Sequence, residues 1–225
     1  MALLPNALRS LAPERLRDDI RVRAGALALG LIPPRTMHSH EDAAVLLAAA
    51  AGARRAVEIG VYEGSSALGL LEVLPAGAEL HLIDPFGRRP DALPRGWGAS
   101  EWATRRLLER HRRRRGGDAP RLVWHPALSA EVAAGWSDEI DLLFIDGDHS
   151  EAGCELDWRS FSPFVSPGGH VVFHDARAGR EGGRGLPGPS SVVDRLIRDS
   201  GDGSWEIDAE ADRTVAVRRV LAGAD

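Results

Sequence analysis

From residue 55 onward the chain alternates short apolar runs with stretches in which apolar residues recur every three or four positions. Short apolar runs bounded by polar punctuation read as strands, and the longer period reads as helix. On this pattern strands are expected at 55–59, 79–83, 121–124, 140–145 and 169–173, separated by helices at 64–74, 100–115, 128–135, 151–162 and 190–199. Regular β-α alternation predicts a parallel sheet wound on both faces by helices. Two late strands, near 204–208 and 213–218, are joined by a short polar turn over 209–213 and must be antiparallel neighbours. Residues 1–52 show no strand pattern. There Leu8, Leu11, Leu16, Ile20, Val45 and Leu46 suit helices, broken at Pro33-Pro34, so an N-terminal helical extension is expected. Two long polar loops, 85–99 and 176–189, follow strand ends, and one of them is expected to close over a substrate.

Composition narrows this picture without redirecting it. A chain of 225 residues with 44% hydrophobic side chains suits one catalytic domain. A single cysteine, Cys154, leaves no internal disulfide and fits a reducing compartment, hence the cytoplasm. No apolar run reaches the roughly 18 residues of a membrane span, which disfavours a membrane protein. The net charge is −5 and lysine is absent, so the basic footprint of a nucleic-acid binder is missing. The run Arg112 to Arg115 closes an expected helix, where cations complement the negative end of the dipole.

The chemistry gathers at strand ends. Leu142-Leu143-Phe144-Ile145 runs into Asp146-Gly147-Asp148-His149, and Val171-Val172-Phe173 runs into His174-Asp175. Open α/β sheets bind ligands beyond the carboxyl ends of their strands, so two such ends bring five proton- or metal-binding groups over one sheet. The first strand supplies another feature, Glu58-Ile59-Gly60-Val61-Tyr62-Glu63-Gly64-Ser65-Ser66. It reads as a strand, a glycine turn and a helix start capped by Ser65 or Ser66. Gly60 is expected to let the backbone approach a ligand, and Glu58 to attract a cation such as an amino-acid ammonium. The Gly-x-x-x-Gly spacing departs from the dinucleotide fingerprint, which disfavours an NAD-linked oxidoreductase. The second strand ends in Asp84, suited to the hydroxyls of a ribose.

With these motifs the chain resembles the class I S-adenosylmethionine-dependent methyltransferases over roughly residues 35–220. Within that superfamily it is similar to the bacterial metal-dependent O-methyltransferases of sugars and natural products, distant relatives of catechol O-methyltransferase. The narrower likeness rests on Phe144-Ile145-Asp146-Gly147-Asp148-His149-Ser150, Asp157-Trp158, Ser166-Pro167-Gly168-Gly169 and Phe173-His174-Asp175. The resemblance implies a Rossmann-like, doubly wound, mostly parallel seven-stranded sheet with the last strand antiparallel. The methyltransferase domain would occupy 53–225, with 1–52 as the helical extension.

The resemblance also implies a site. Glu58, Gly60, Gly64, Ser65 and Ser66 would contact the methionine end of the cofactor, Asp84 the ribose, Phe86 the adenosine and Ser129 the adenine edge. Met37, in Met37-His38-Ser39, would close the N-terminal side of the pocket. Asp146 would face the cofactor and also hold a divalent metal with His174 and Asp175. Magnesium is the expected ion and manganese the alternative, since His174 stands where a carboxylate is usual. His149 is the first candidate for the general base and Asp148 the second. Trp97, with Arg88, Arg89 and Arg95, would cover the acceptor. That acceptor is expected to be a hydroxylated small molecule, a saccharide or glycoside before a phenol. The helical extension suggests a homodimer. The competing class is a non-catalytic S-adenosylmethionine-binding partner protein.

Overall fold

The structure is a computed structural model that describes residues 19–87, 99–200 and 203–220. Seven strands form one sheet: β1 (Arg55–Ile59), β2 (Glu79–Ile83), β3 (Arg121–His125), β4 (Ile140–Ile145), β5 (Val165–Phe173), β6 (Trp205–Ala211) and β7 (Thr214–Arg219). Their order is β3-β2-β1-β4-β5-β7-β6. The first five strands are mutually parallel, and β7 runs antiparallel to both β5 and β6. The expected Rossmann-like sheet with its reversed last strand is therefore present. The chain steps outward from β1 to β2 and β3, then returns to place β4 on the other side of β1. The carboxyl ends of β1 and β4 thus flank the point where the winding reverses, the usual ligand crevice of such sheets.

The central strands are buried on both faces, which is why they read as continuous apolar runs rather than alternating ones. Val57, Leu80, Leu82, Leu142, Leu143, Val171 and Val172 are all fully enclosed. Phe144 lies in the core on one face and Phe161 and Phe173 on the other. Deleting one of these rings would cost about 3–5 kcal/mol, because the surrounding packing cannot fully collapse into the void.

Helices α1 (Ile20–Leu29) and α2 (His40–Ala49) precede the sheet. Leu27 of α1 is buried beside Ala103 of α4 (Glu101–Arg115), and α2 places Val45 and Leu46 in the sheet core. Ser39 opens α2 with a reciprocal capping box, its hydroxyl accepting from Asp42 N while Asp42 accepts from Ser39 N. The arginine run forms the last turn of α4, as the dipole predicts. No helix among the described residues is long and apolar enough to cross a membrane.

Several boundaries differ from expectation. Strand β5 begins four residues early, at Val165, because Ile140 still pairs with Val165 across a bulge that takes up Ser166-Pro167-Gly168-Gly169. The hairpin turn shrinks to Asp212-Arg213, with Asp212 at φ 40°, a left-handed conformation that Asp tolerates. Helix α5 (Ser129–Ala133) is shorter than 128–135. Helix α7 (Pro187–Val193) starts three residues before the expected 190, Pro187 fitting the first turn where no N–H is needed, and continues through a π-helical turn over Asp194–Arg198. Between these elements lie α3 (Ser65–Val73) and α6 (Glu151–Phe161).

Candidate active site

The turn after β1 is built from backbone conformations that few residues accept. Gly60, Tyr62 and Gly64 all have positive φ, at 90°, 51° and 83°. A Cβ on Gly60 would lie 2.1 Å from the carbonyl oxygen of Asp146, so this glycine is required by the close approach of β1 to β4. Gly64 is the N-cap of α3 and makes no side-chain cap bond, which corrects the expectation that Ser65 or Ser66 caps the helix. Ser66 instead donates its hydroxyl to Glu58 Oε1. The other oxygen, Glu58 Oε2, is buried with no hydrogen-bond partner. Burial pushes the Glu58 carboxyl up to about 8, and the nearby Asp146 and Asp84 charges push the same way.

Asp84 bridges two loops, its Oδ2 accepting Tyr62 N–H from the turn after β1 at 2.8 Å and its Oδ1 accepting Phe86 N–H from the loop after β2 at 2.6 Å. Burial raises its pKa against the pull of those bonds. Phe86 is buried and tilted against Trp124, with centroids 6.1 Å apart. Ser129, at the start of α5, donates to Asp157 Oδ1. Burial lifts Asp157 to about 6 despite that bond. Its Oδ2 lies 3.0 Å from where a Cβ on Gly147 would stand, so Asp157 packs closely against the loop after β4.

Sequence reading missed what holds this turn in place. Glu63 is buried in a clasp with Arg23 of α1, whose Nε donates to it at 2.7 Å, and it also accepts the Arg35 N–H at 2.7 Å. Arg35 Nη1 reaches the Tyr62 hydroxyl at 2.7 Å. A buried Arg-Glu fork between distant segments leaves no periodicity to detect.

Across the crevice the loops after β4 and β5 bring Asp146, His149, His174 and Asp175 together. Asp146 Oδ1 is 2.9 Å from His174 Nδ1 and 3.4 Å from His149 Nε2. Asp175 Oδ2 is 3.6 Å from each of those nitrogens. Burial would raise the Asp146 pKa, but the hydrogen bonds and charges of His174 and His38 outweigh it and hold the carboxyl far below the usual range. His174 moves the other way: burial lowers it, and the contacts with Asp146, Asp175 and Asp42 more than restore it. Asp175 adopts φ 55°, an uncommon conformation for a non-glycine residue.

The neighbours of this cluster were not all foreseen. His38 enters the cluster, its Nε2 meeting Asp146 Oδ2 at 3.1 Å, while the neighbouring Met37 is exposed. Asp42 is buried behind His174, receiving Thr214 Oγ1 at 2.8 Å and Arg213 N at 2.9 Å. Arg213 Nη1 holds Asp175 Oδ1 at 3.2 Å. Asp148 faces away, with Oδ1 accepting Ser150 N–H at 2.8 Å while Ser150 caps α6. The loop 176–189 is fixed at both ends, with Leu186 N donating to Asp175 O at 2.8 Å and Ala178 N to Ser190 Oγ at 2.8 Å. Trp97, Arg88, Arg89 and Arg95 lie outside the described residues. Trp158 packs on Phe173 and Trp205 as a core residue.

This arrangement, a cofactor-type turn on one side of a crevice and a carboxylate-imidazole cluster on the other, sits on the fold of the Rossmann-like methyltransferases. Residues 57–176, just over half the chain, match a family described as a methyltransferase domain. The chain belongs to that family. Among solved structures it is similar to the O-methyltransferase NovP, at 19% identity over 89% of each chain and a TM-score of 0.62. A protein from Corynebacterium glutamicum is 19% identical, with 98% of this chain and all of that one covered and a TM-score of 0.59. The O-methyltransferase TomG from Streptomyces achromogenes, involved in tomaymycin synthesis and solved with S-adenosylmethionine, is 19% identical over 96% and 95% of the two chains, with a TM-score of 0.56. At these identities the likeness establishes the fold.

Proposed function

We propose that the chain is an S-adenosylmethionine-dependent O-methyltransferase acting on a hydroxyl of a small molecule. The observation that carries this reading is the buried Glu58 carboxylate, with one oxygen unpartnered beside the glycine turn of a methyltransferase-family domain. A cation arriving at such a group would displace its proton and pair with the carboxylate, and the ammonium of the cofactor's methionine end supplies one. Asp84 and Ser129 then stand for the ribose and adenine ends.

On the acceptor side the hydroxyl oxygen attacks the methyl carbon in line, the carbon–sulfur bond breaks, and S-adenosylhomocysteine leaves. The protein's groups orient that hydroxyl and receive its proton. The buried, convergent Asp and His donors fit a divalent cation, with His149 Nε2 left without a hydrogen-bond partner. Asp146, His174 and Asp175 would hold such an ion, whose charge lowers the pKa of a bound hydroxyl. The acceptor we favour is a saccharide or glycoside, because the groups facing this side are polar and suit a hydroxyl-rich ring better than a flat phenol. Exposed apolar residues of the N-terminal region, Ile20, Leu29 and Leu31, motivate a homodimer, which sedimentation would test. The use of a single cysteine, Cys154, is what supports a cytoplasmic location.

The test is incubation with methyl-labelled S-adenosylmethionine and a panel of saccharides, glycosides and phenols. Label in a hydroxyl-bearing product with stoichiometric S-adenosylhomocysteine is expected. Cofactor binding with no transfer to any acceptor would leave only a binding protein.

A further inference from the structure

We infer that Asp146, His149, Asp175 and His174 form a four-donor ring for a transition-metal dication of the manganese-to-zinc series in preference to magnesium, with His149 as a ligand. This inference rests on the proposed reading of the site and changes two parts of it: the ion, and the role of His149.

The geometry is a closed circuit. From Asp146 Oδ1 to His149 Nε2, to Asp175 Oδ2, to His174 Nδ1 and back, the steps are 3.4, 3.6, 3.6 and 2.9 Å. Ligand atoms bonded to zinc at about 2.1 Å lie about 3.0 Å apart at right angles and about 3.4 Å apart at the tetrahedral angle, so neighbouring donors around the ring stand near the spacing of adjacent ligands, and His149, His174 and Asp175 offer atoms that all lie within 4.8 Å of one another. Two of its donors are imidazole nitrogens. Magnesium prefers an all-oxygen shell and keeps several waters, whereas imidazole suits manganese, cobalt and zinc increasingly well.

Outer partners support the ring. Each carboxylate has one oxygen engaged from outside and the other turned inward: Asp146 Oδ2 is held by His38, and Asp175 Oδ1 by Arg213. His174 Nε2 makes no hydrogen bond and lies 3.9 Å from Asp42 Oδ2, within ion-pair reach only. Such partners fix ligand orientation, and their loss typically weakens metal binding by about 10- to 100-fold. His149 Nε2 is enclosed, lacks a hydrogen-bond partner and points between the two inward oxygens. As a proton acceptor it would need a free lone pair toward the acceptor hydroxyl; in the ring that lone pair is committed to the ion.

Metal-stripped full-length protein is titrated calorimetrically with Zn²⁺, Co²⁺, Mn²⁺ and Mg²⁺, and the Co²⁺ form is read by its visible absorption. The expected result is one site per chain, with Zn²⁺ and Co²⁺ binding at least roughly a hundredfold more tightly than Mg²⁺. His149→Ala should weaken Co²⁺ binding by roughly tenfold or more and change its spectrum, while His38→Ala weakens binding with the spectrum kept. Far-UV circular dichroism verifies that each variant is folded; should His149→Ala fail to fold, His149→Gln takes its place. Magnesium binding as tight as cobalt, or unchanged cobalt affinity and spectrum without His149, overturns the inference. Both readouts are independent of methyl transfer, so a protein that binds metal as expected but transfers no methyl group would overturn only the proposed function.

Discussion

The two sides of the crevice are made in different ways. The cofactor-type side comes mainly from one stretch of chain, residues 58–66, whose positive-φ turn at Gly60, Tyr62 and Gly64 sets it beside the ends of β1 and β2. The acceptor side is assembled from four places: His38 before α2, Asp146 and His149 after β4, His174 and Asp175 after β5, and Arg213 at the hairpin turn. A local backbone shape tolerates loss of a side chain better than a ring of coupled charges does. The acceptor side should therefore fail more sharply under mutation.

The largest effect is expected from Asp146→Ala, which removes the carboxylate shared by three imidazoles. Methyl transfer should fall by at least roughly a hundredfold in kcat/KM. Cofactor affinity, measured separately, should change far less. An equal loss of both would erase the distinction between the two sides.

Next comes the clasp behind the turn. Glu63→Gln leaves Arg23 buried without its carboxylate partner, which should cost about 3 kcal/mol in denaturant unfolding and loosen cofactor binding as well. Destabilisation without any change in cofactor affinity would show that the clasp serves the fold alone.

Glu58 sharpens the comparison through pH. Its folded value, about 8, stands above the ordinary 4.5, so its contribution to stability is complete below about pH 4.5 and is lost as pH rises toward 8. At pH 7 the carboxyl of the free protein is mostly protonated, and an arriving ammonium should expel that proton. Calorimetry in buffers of different ionisation enthalpy should therefore detect release approaching one proton per cofactor bound. Glu58→Gln should abolish the release and flatten this part of the stability slope; binding with no proton release would remove the cation from this position. The smallest effect is expected from Ser129→Ala, about 1 kcal/mol of stability through the lost bond to Asp157, with cofactor affinity reduced only a few-fold.

The same contrast explains what the sequence revealed. Strands β1, β2 and β4 were legible because burial on both faces writes short, mostly apolar segments, broken only by single polar residues such as His81 and Asp141, and the carboxylates Glu58, Asp84 and Asp146 stand at or just past their carboxyl ends. Segments governed by local irregularity were less legible: the bulge that lengthens β5 and the two-residue turn at Asp212 leave little trace in periodicity. His38, Asp42, Arg213 and the Arg23–Glu63 clasp were missed because long-range packing alone brings them to the site. His38 was the nearest miss, since the sequence pointed one residue away, to Met37. Asp42 had a detectable local signal, the Ser39-to-Asp42 capping box, but that signal marks a helix start and not a position behind His174.

The most direct test of the division between the two sides is calorimetric titration of S-adenosylmethionine into the parent protein, Glu58→Gln and Asp146→Ala. The parent should bind one cofactor per chain, Glu58→Gln should lose at least roughly tenfold in affinity, and Asp146→Ala should stay within a few-fold of the parent. A parent protein that does not bind S-adenosylmethionine, or a Glu58→Gln variant that binds it as tightly as the parent, would contradict the account.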